Sequence, residues 1–293
     1  MKNRNFYEKT TYPDGSSYVT IKDFVDSFTY RINSYEDLWI LQQISDVYKY
    51  NNHNAHITIP NLFEAQADRR FYTNQSSGLK LVCDFINKMG WKSVSIFHPH
   101  NPEVVEVLID NVKIIDNTYF IKEALSEIYC GQNNVERDLG LFYHQRQELY
   151  DNLILMSTDA GGFKPLMKLT DKLQWKGETF SASKSRKYED GKSNLVQQID
   201  RDDFQGKDVM IIDDMSLYGG TFKGLSKMLK GKNCGKLYLA VSHMTIQDLG
   251  IDPVTDYFDK VFTTNSKFDE YDWGALVGNG NPNNLNIVKQ FDI

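Results

Sequence analysis

The clearest feature of the chain is an alternation of two apolar periodicities. Ser34 is followed three residues later by Asp37, and Leu38, Leu41 and Ile44 then recur at helical spacing, which predicts a helix over about 35–48. The run His56-Ile57-Thr58-Ile59, closed by Pro60, predicts a short strand. Leu79, Val82, Cys83 and Ile86 predict the inward face of a helix over 78–88. Residues 94–97 predict a strand and 104–109 a helix. Further on, Leu153-Ile154-Leu155-Met156 reads as a buried strand with a helix over 162–173 behind it. Residues 208–212 form a nearly all-apolar strand, 221–229 a helix carrying Phe222, Leu225, Met228 and Leu229, and 236–241 another strand. This βαβ order predicts an α/β protein with parallel sheets. No low-complexity linker or short-period repeat interrupts it, so two α/β halves meeting near 115–122 are the simplest arrangement, with domains over 1–118 and 119–293.

Composition narrows the partners. The 293 residues, 41% hydrophobic and 25% charged, suffice for one large or two moderate cores. Acidic residues outnumber basic ones by 39 to 33, giving a net charge of -6 without a basic stripe, so nucleic acid is not an expected partner. Cys83, Cys130 and Cys234 are widely separated and lack zinc-ligand spacing, which fits a reducing cytoplasm better than a disulfide framework. The N-terminal stretch has no apolar signal core, and no segment approaches the length of a membrane span, so a cytoplasmic protein without membrane contact is expected.

The strongest chemical signal is Val209-Met210-Ile211-Ile212-Asp213-Asp214-Met215-Ser216-Leu217-Tyr218-Gly219-Gly220-Thr221. An apolar strand ends in two carboxylates, and a glycine turn then opens a helix. Backbone N–H groups at such a helix start, with the positive end of its dipole, can cradle a phosphate, and the carboxylates beside it suit ribose hydroxyls or a metal. Read alone, the segment also fits a strand-to-helix turn with a solvated acidic cap.

This strand, acidic pair and glycine turn resemble the PRPP-binding loop of type I phosphoribosyltransferases and of ribose-phosphate pyrophosphokinases (PRPP synthetases). Further segments resemble the synthetases in particular. Residues 58–70, with Gln66-Ala67-Asp68-Arg69 near their end, are similar to the ATP-contacting segment, and Ser95 to His100 (SIFHPH) to the Asp-x-His segment. Leu155 to Lys164 (LMSTDAGGFK) looks like the DAGG turn, Ser183-Lys184-Ser185-Arg186 like the catalytic flexible loop, and Tyr12-Pro13-Asp14-Gly15 like the adenine-contacting loop. The segments follow the family's order over nearly the whole chain, while its first strand and last helix look shortened.

The resemblance implies two phosphoribosyltransferase-type domains, each a mainly parallel sheet flanked by helices. The implied reaction moves the β,γ-diphosphate of ATP to the anomeric hydroxyl of a ribose 5-phosphate unit and releases AMP. Mg2+ is the implied cofactor and a homo-oligomer the implied assembly. Lys184 and Arg186 are the expected catalytic cations, on a polar loop that orders over nucleotide. His100 is expected at the triphosphate and its metal, and Asp159 at the anomeric hydroxyl and a second metal. Tyr12, Asp14, Gln66, Asp68 and Arg69 are expected to bind ATP. Asp213 and Asp214 would hold the ribose hydroxyls, while Leu217, Tyr218, Gly219, Gly220 and Thr221 form the phosphate end of the acceptor site. Each has a plain structural reading as well: a solvated basic loop for Lys184 and Arg186, a structural histidine for His100, a packing residue for Tyr12.

The departures from the family pattern concern substrate choice. Leu217-Tyr218 stand where Asp-Thr is usual, Gln66-Ala67 where Arg-Gln is usual, and His98 in place of an Asp. A tyrosine is too large for a closed cup around a terminal phosphate, so the cup is expected to be open or reshaped, unless Leu217 and Tyr218 pack against the neighbouring helix. Phage-type relatives that pyrophosphorylate ADP-ribose on the way to rebuilding NAD would need such an opening, which sets ADP-ribose slightly ahead of ribose 5-phosphate as acceptor. A PRPP-consuming phosphoribosyltransferase and a non-catalytic regulatory homologue are the alternatives.

Overall fold

The computed structural model describes residues 6–133, 147–189, 192–245, 252–269 and 284–292. It begins with an antiparallel hairpin of β1 (Tyr7–Thr11) and β2 (Ser17–Ile21). Gly15 turns the hairpin at φ 87°, where a side chain would be strained. Phe6 and Val19 carry the hairpin into the core, whereas most of β1 is exposed, so no long apolar stretch announced it in the sequence.

The first compact unit comprises residues up to 116 together with the stretch from 289. Its parallel sheet has the order β3 (Ser27–Thr29), β4 (His56–Ile59), β5 (Ser93–Phe97), β6 (Val112–Ile115). Helices α1 (Tyr35–Tyr50), α2 (Gly78–Met89) and α3 (Pro102–Leu108) connect the strands. Ser34 caps α1 as its sequence predicts: its Oγ accepts from Asp37 N, and Asp37 Oδ2 accepts from Ser34 Oγ (2.8 Å) and Asn33 N (3.0 Å). Leu41, Ile44, Ile57, Leu79, Cys83 and Ile96 meet in the core. Residues beyond 288 return to this unit, and the Phe291 ring lies 5.2 Å from that of buried Phe97. The sequence reading placed those residues with the second half.

The second unit spans 117–288. Helix α4 (Thr118–Asn133), unread in the sequence, and the short α5 (Gln147–Asn152) lead to β7 (Leu153–Ser157) and α6 (Ala160–Leu173). Next come β8 (Thr179–Ser181), an antiparallel ribbon of β9 (Ser183–Glu189) and β10 (Lys192–Gln198), and β11 (Asp208–Ser216). Helix α7 (Gly220–Lys230), β12 (Leu237–Met244), β13 (Lys260–Thr264) and β14 (Leu285–Val288) complete it. The parallel sheet runs β14-β13-β12-β11-β7-β8. Along β11, Met210 and Ile212 enter the core beneath α4 and α6, while Val209 and Ile211 enter the core beneath α7. A strand buried on both faces explains the continuous apolar run. Among the described residues, no helix is long and apolar enough to cross a membrane.

Deleting buried side chains should be costly only where the core is sealed. Leu41→Ala, at a fully buried position, is expected to lower unfolding free energy by about 2–5 kcal/mol in urea denaturation. Leu81→Ala, on the outer face of α2 with 62% of its surface exposed, should stay within about 0.5 kcal/mol of the parent. Equal losses would contradict the assigned inward face.

Candidate active site

In the second unit, β7 pairs with β11 only as far as Ser157 opposite Ile212. The chain then leaves β7 for α6 while β11 continues to Ser216, so Asp213 is the first β11 residue beyond that pairing. Thr158, in the turn just opened, donates its hydroxyl to Asp213 Oδ2 (2.9 Å), and Asp214 N donates to Asp213 Oδ1 (2.9 Å). The acidic pair therefore lies inside the strand, which runs on to Ser216 instead of ending at the two carboxylates as the sequence suggested. Burial of the Asp213 carboxyl raises its pKa to about 7, with the Asp214 charge and side-chain hydrogen bond adding to the effect and the donors from Thr158 and the Asp214 backbone opposing it.

Asp159 is the N-cap of α6, its Oδ1 accepting from Gly162 N (3.0 Å). Oδ2 takes no hydrogen bond among the described residues. The corresponding start of α7 is different, because its N-cap is Gly219 and carries no capping side chain. Gly219 has φ 67°, and an added Cβ would sit 3.0 Å from Val254 Cβ, so conformation and space both require glycine there. At Gly220 a Cβ would meet nothing within 4 Å. Packing does not demand glycine at 220, and no side chain of the N-cap satisfies the first-turn N–H groups, donors of the kind that can receive an anion. The preceding loop is braced from β12: Thr245 N donates to Ser216 O (3.1 Å) and Thr245 Oγ1 to Leu217 O. Leu217 and Tyr218 are 39% and 72% exposed, so Tyr218 does not pack against the neighbouring helix. Thr221, at the second position of α7, is half-buried.

Lys184 and Arg186 lie on β9, opposite Gln197 and Leu195 of β10. A strand ribbon thus replaces the expected irregular loop. Ladder hydrogen bonds can form it without the apolar anchors that the sequence lacked. Lys184 is exposed. The Arg186 side chain lies outside the described residues.

In the first unit, Asp68 and the loop after β5 are drawn together by Asn101. This residue caps α3 by accepting from Val104 N (3.3 Å) and donates Nδ2 to Asp68 Oδ2 (3.1 Å). Burial alone would raise the Asp68 pKa, but the Asn101 hydrogen bond, the Arg69 Nε contact (3.3 Å) and the nearby His100 charge lower it overall. His98 occupies φ 37°, an uncommon conformation for a non-glycine residue, directly after β5. His100, Gln66 and Arg69 are exposed. Tyr12 and Asp14 occupy the hairpin turn, where the Tyr12 ring stacks at a tilt 5.5 Å from Tyr18 and Asp14 Oδ1 accepts from Ser16 N (2.9 Å) and Ser16 Oγ (2.7 Å). The Ser16 hydrogen bonds lower the Asp14 pKa.

The two residues expected at magnesium ions, His100 at the triphosphate's metal and Asp159 at a second one, belong to different units. Among the described residues, no group of three or more His, Cys, Asp or Glu side chains is gathered to hold a metal. The sequence reading missed Thr158, Thr245 and Asn101. Only Asn101 carried a local signal, an Asn-Pro pair opening a helix.

Residues 132–275 match the phosphoribosyl transferase domain family. Along most of its length the chain is similar to the ribose-phosphate pyrophosphokinases of Aquifex aeolicus (22% identity; 88% of this chain, 78% of that protein) and Sulfolobus acidocaldarius (23%; 88% and 84%). A match to that of Chlorobaculum tepidum, at 29% identity, spans 45% of this chain but only 40% of the relative. The crystal structure of phosphoribosylpyrophosphate synthetase from Mycobacterium smegmatis superimposes with a TM-score of 0.71 at 16% identity, covering 97% of this chain and 85% of that one. The fold is accordingly α/β with two phosphoribosyltransferase-type domains, their parallel sheets flanked by helices.

The Asp213 assignment can be tested without substrate. Its folded pKa lies above the ordinary value of 3.8, so the unfolded chain releases this proton first and stability falls as pH rises from about 4 to about 7. Asp213→Asn removes that penalty, and its melting temperature should rise relative to the parent across this window, the difference levelling off at higher pH. A difference independent of pH between 4 and 8 would show that the carboxyl titrates normally.

Proposed function

We propose that this chain, a relative of the ribose-phosphate pyrophosphokinases carrying the phosphoribosyl transferase fold, transfers the β,γ-diphosphate of ATP to the anomeric hydroxyl of a ribose 5-phosphate unit. The observation carrying this reading is the uncapped start of α7 beside the acidic pair on β11. Backbone N–H groups at Gly220 and Thr221 receive the phosphate, and Asp213 and Asp214 accept from the ribose hydroxyls. The anomeric oxygen attacks the β-phosphorus, the bond to the α-phosphate oxygen breaks, and AMP leaves. Lys184 and Arg186 stabilise charge that builds on the non-bridging oxygens. Asp68, Arg69 and His100, with Tyr12, Asp14 and Gln66, form the nucleotide side.

Magnesium suits Asp159, whose second oxygen is a hard donor, since this ion commonly uses one or two carboxylates together with substrate phosphates and water. When bound, it would neutralise phosphate charge. His100, on the nucleotide side, would meet the triphosphate and the magnesium bound to it. Cytoplasmic location and homo-oligomeric assembly belong to the same proposal.

For the acceptor, the exposed Leu217-Tyr218 pair favours ADP-ribose over ribose 5-phosphate. An open loop lets the 5-phosphate continue into a diphosphate, and Tyr218 offers a ring for its distal part. The relatives named above are ribose-phosphate enzymes, and the ADP-ribose reading rests on these two residues.

Mass spectrometry of products after incubation with ATP, Mg2+ and each acceptor should show AMP together with a diphosphorylated acceptor. No product from either would reject the reaction. Lys184→Ala should lower turnover by about two orders of magnitude. Leu217→Asp combined with Tyr218→Thr should shift kcat/KM toward ribose 5-phosphate by about tenfold, equivalent to about 1.4 kcal/mol. Proportional losses with both acceptors would remove the support for ADP-ribose.

A further inference from the structure

A side chain of the ribbon that carries Lys184 reaches the first turn of α7. Gln197 stands directly opposite Lys184 in the β9–β10 ladder. Its Nε2 donates to Thr221 O in the first turn of α7 (3.0 Å). Its Oε1 occupies the place that a side chain at position 224 would need, closer than any real Cβ approaches. Gly224 has no positive φ and lies inside α7, where glycine weakens a helix. A Cβ added there would have to push the Gln197 amide, the mobile end of a flexible side chain, out of its present place.

We propose that Gln197 is a positioning residue, a latch that seats the base of the β9–β10 ribbon on the first turn of α7 so that Lys184 is held in register with the phosphate end of the acceptor site. Gln197 touches a backbone carbonyl and a glycine, and it acts through Lys184 rather than on substrate. Because the Thr221 carbonyl belongs to the turn whose N–H groups would receive phosphate, movement of that turn is passed to the ribbon through one amide. The catalytic part of this inference rests on the pyrophosphokinase reading, whereas the latch itself does not.

Two variants break the latch from opposite sides. Gln197→Ala removes the amide. Gly224→Ala displaces it, although the same exchange otherwise favours a helix, so an intact or raised melting temperature separates lost positioning from lost folding. Amide hydrogen exchange in 183–198 of the full chain should quicken by about tenfold in both variants. With turnover measured on the better acceptor, kcat should fall about tenfold or more while acceptor KM stays within about twofold, because misplacing a catalytic group by an ångström acts on the transition state. The double variant should be no worse than either single one, since both remove the same contact. Parent-like ribbon exchange in both variants, or full kcat in a Gly224→Ala protein, overturns the latch. A parent protein without turnover rejects the function reading alone, and the exchange comparison then still decides the latch.

Discussion

The second unit depends on the two-sided burial of β11. Val209 and Ile211 point into one core and Met210 and Ile212 into the other, so a slip of one residue would exchange the two sets and leave both cores misfilled. That constraint fixes how far the strand has run when its β7 pairing stops. Asp213 is thereby delivered, on a rigid element, to the opening where Thr158 can reach it. The site's position follows from the sheet's register rather than from the loop that surrounds it.

Around this point two helix starts have been given different tasks. The start of α6 satisfies itself through Asp159, while that of α7 begins at a glycine and leaves its donors for something else. Thr245 supports the second from below by holding the carbonyls of Ser216 and Leu217, so openness at the tip does not imply looseness in the backbone. In the first unit Asn101 does comparable work, linking the helix start after β5 to Asp68 through one amide group.

What the sequence revealed and what it hid follow one physical division. Elements with a strong local period were legible: the strand at 208–212, the capped helix after Ser34, and the glycine turn before Thr221. Contacts between distant segments were not, because nothing near Thr158 signals Asp213 and nothing near Gln197 signals Gly224. The extension of β11 through Asp213 to Ser216 was hidden because its polar residues imitate a turn, whereas pairing with β12 keeps it extended. The β9–β10 ribbon was hidden for a related reason, as a polar ladder has no apolar alternation to read.

The return of the chain from 289 to the first unit bears on the order of events during synthesis. Phe97 is fully buried, and part of its cover is Phe291, which the ribosome adds only after the whole second unit has been made. The first unit is therefore completed by residues from both ends of the sequence. Until residue 291 has been added, Phe97 at the end of β5 lacks this ring partner.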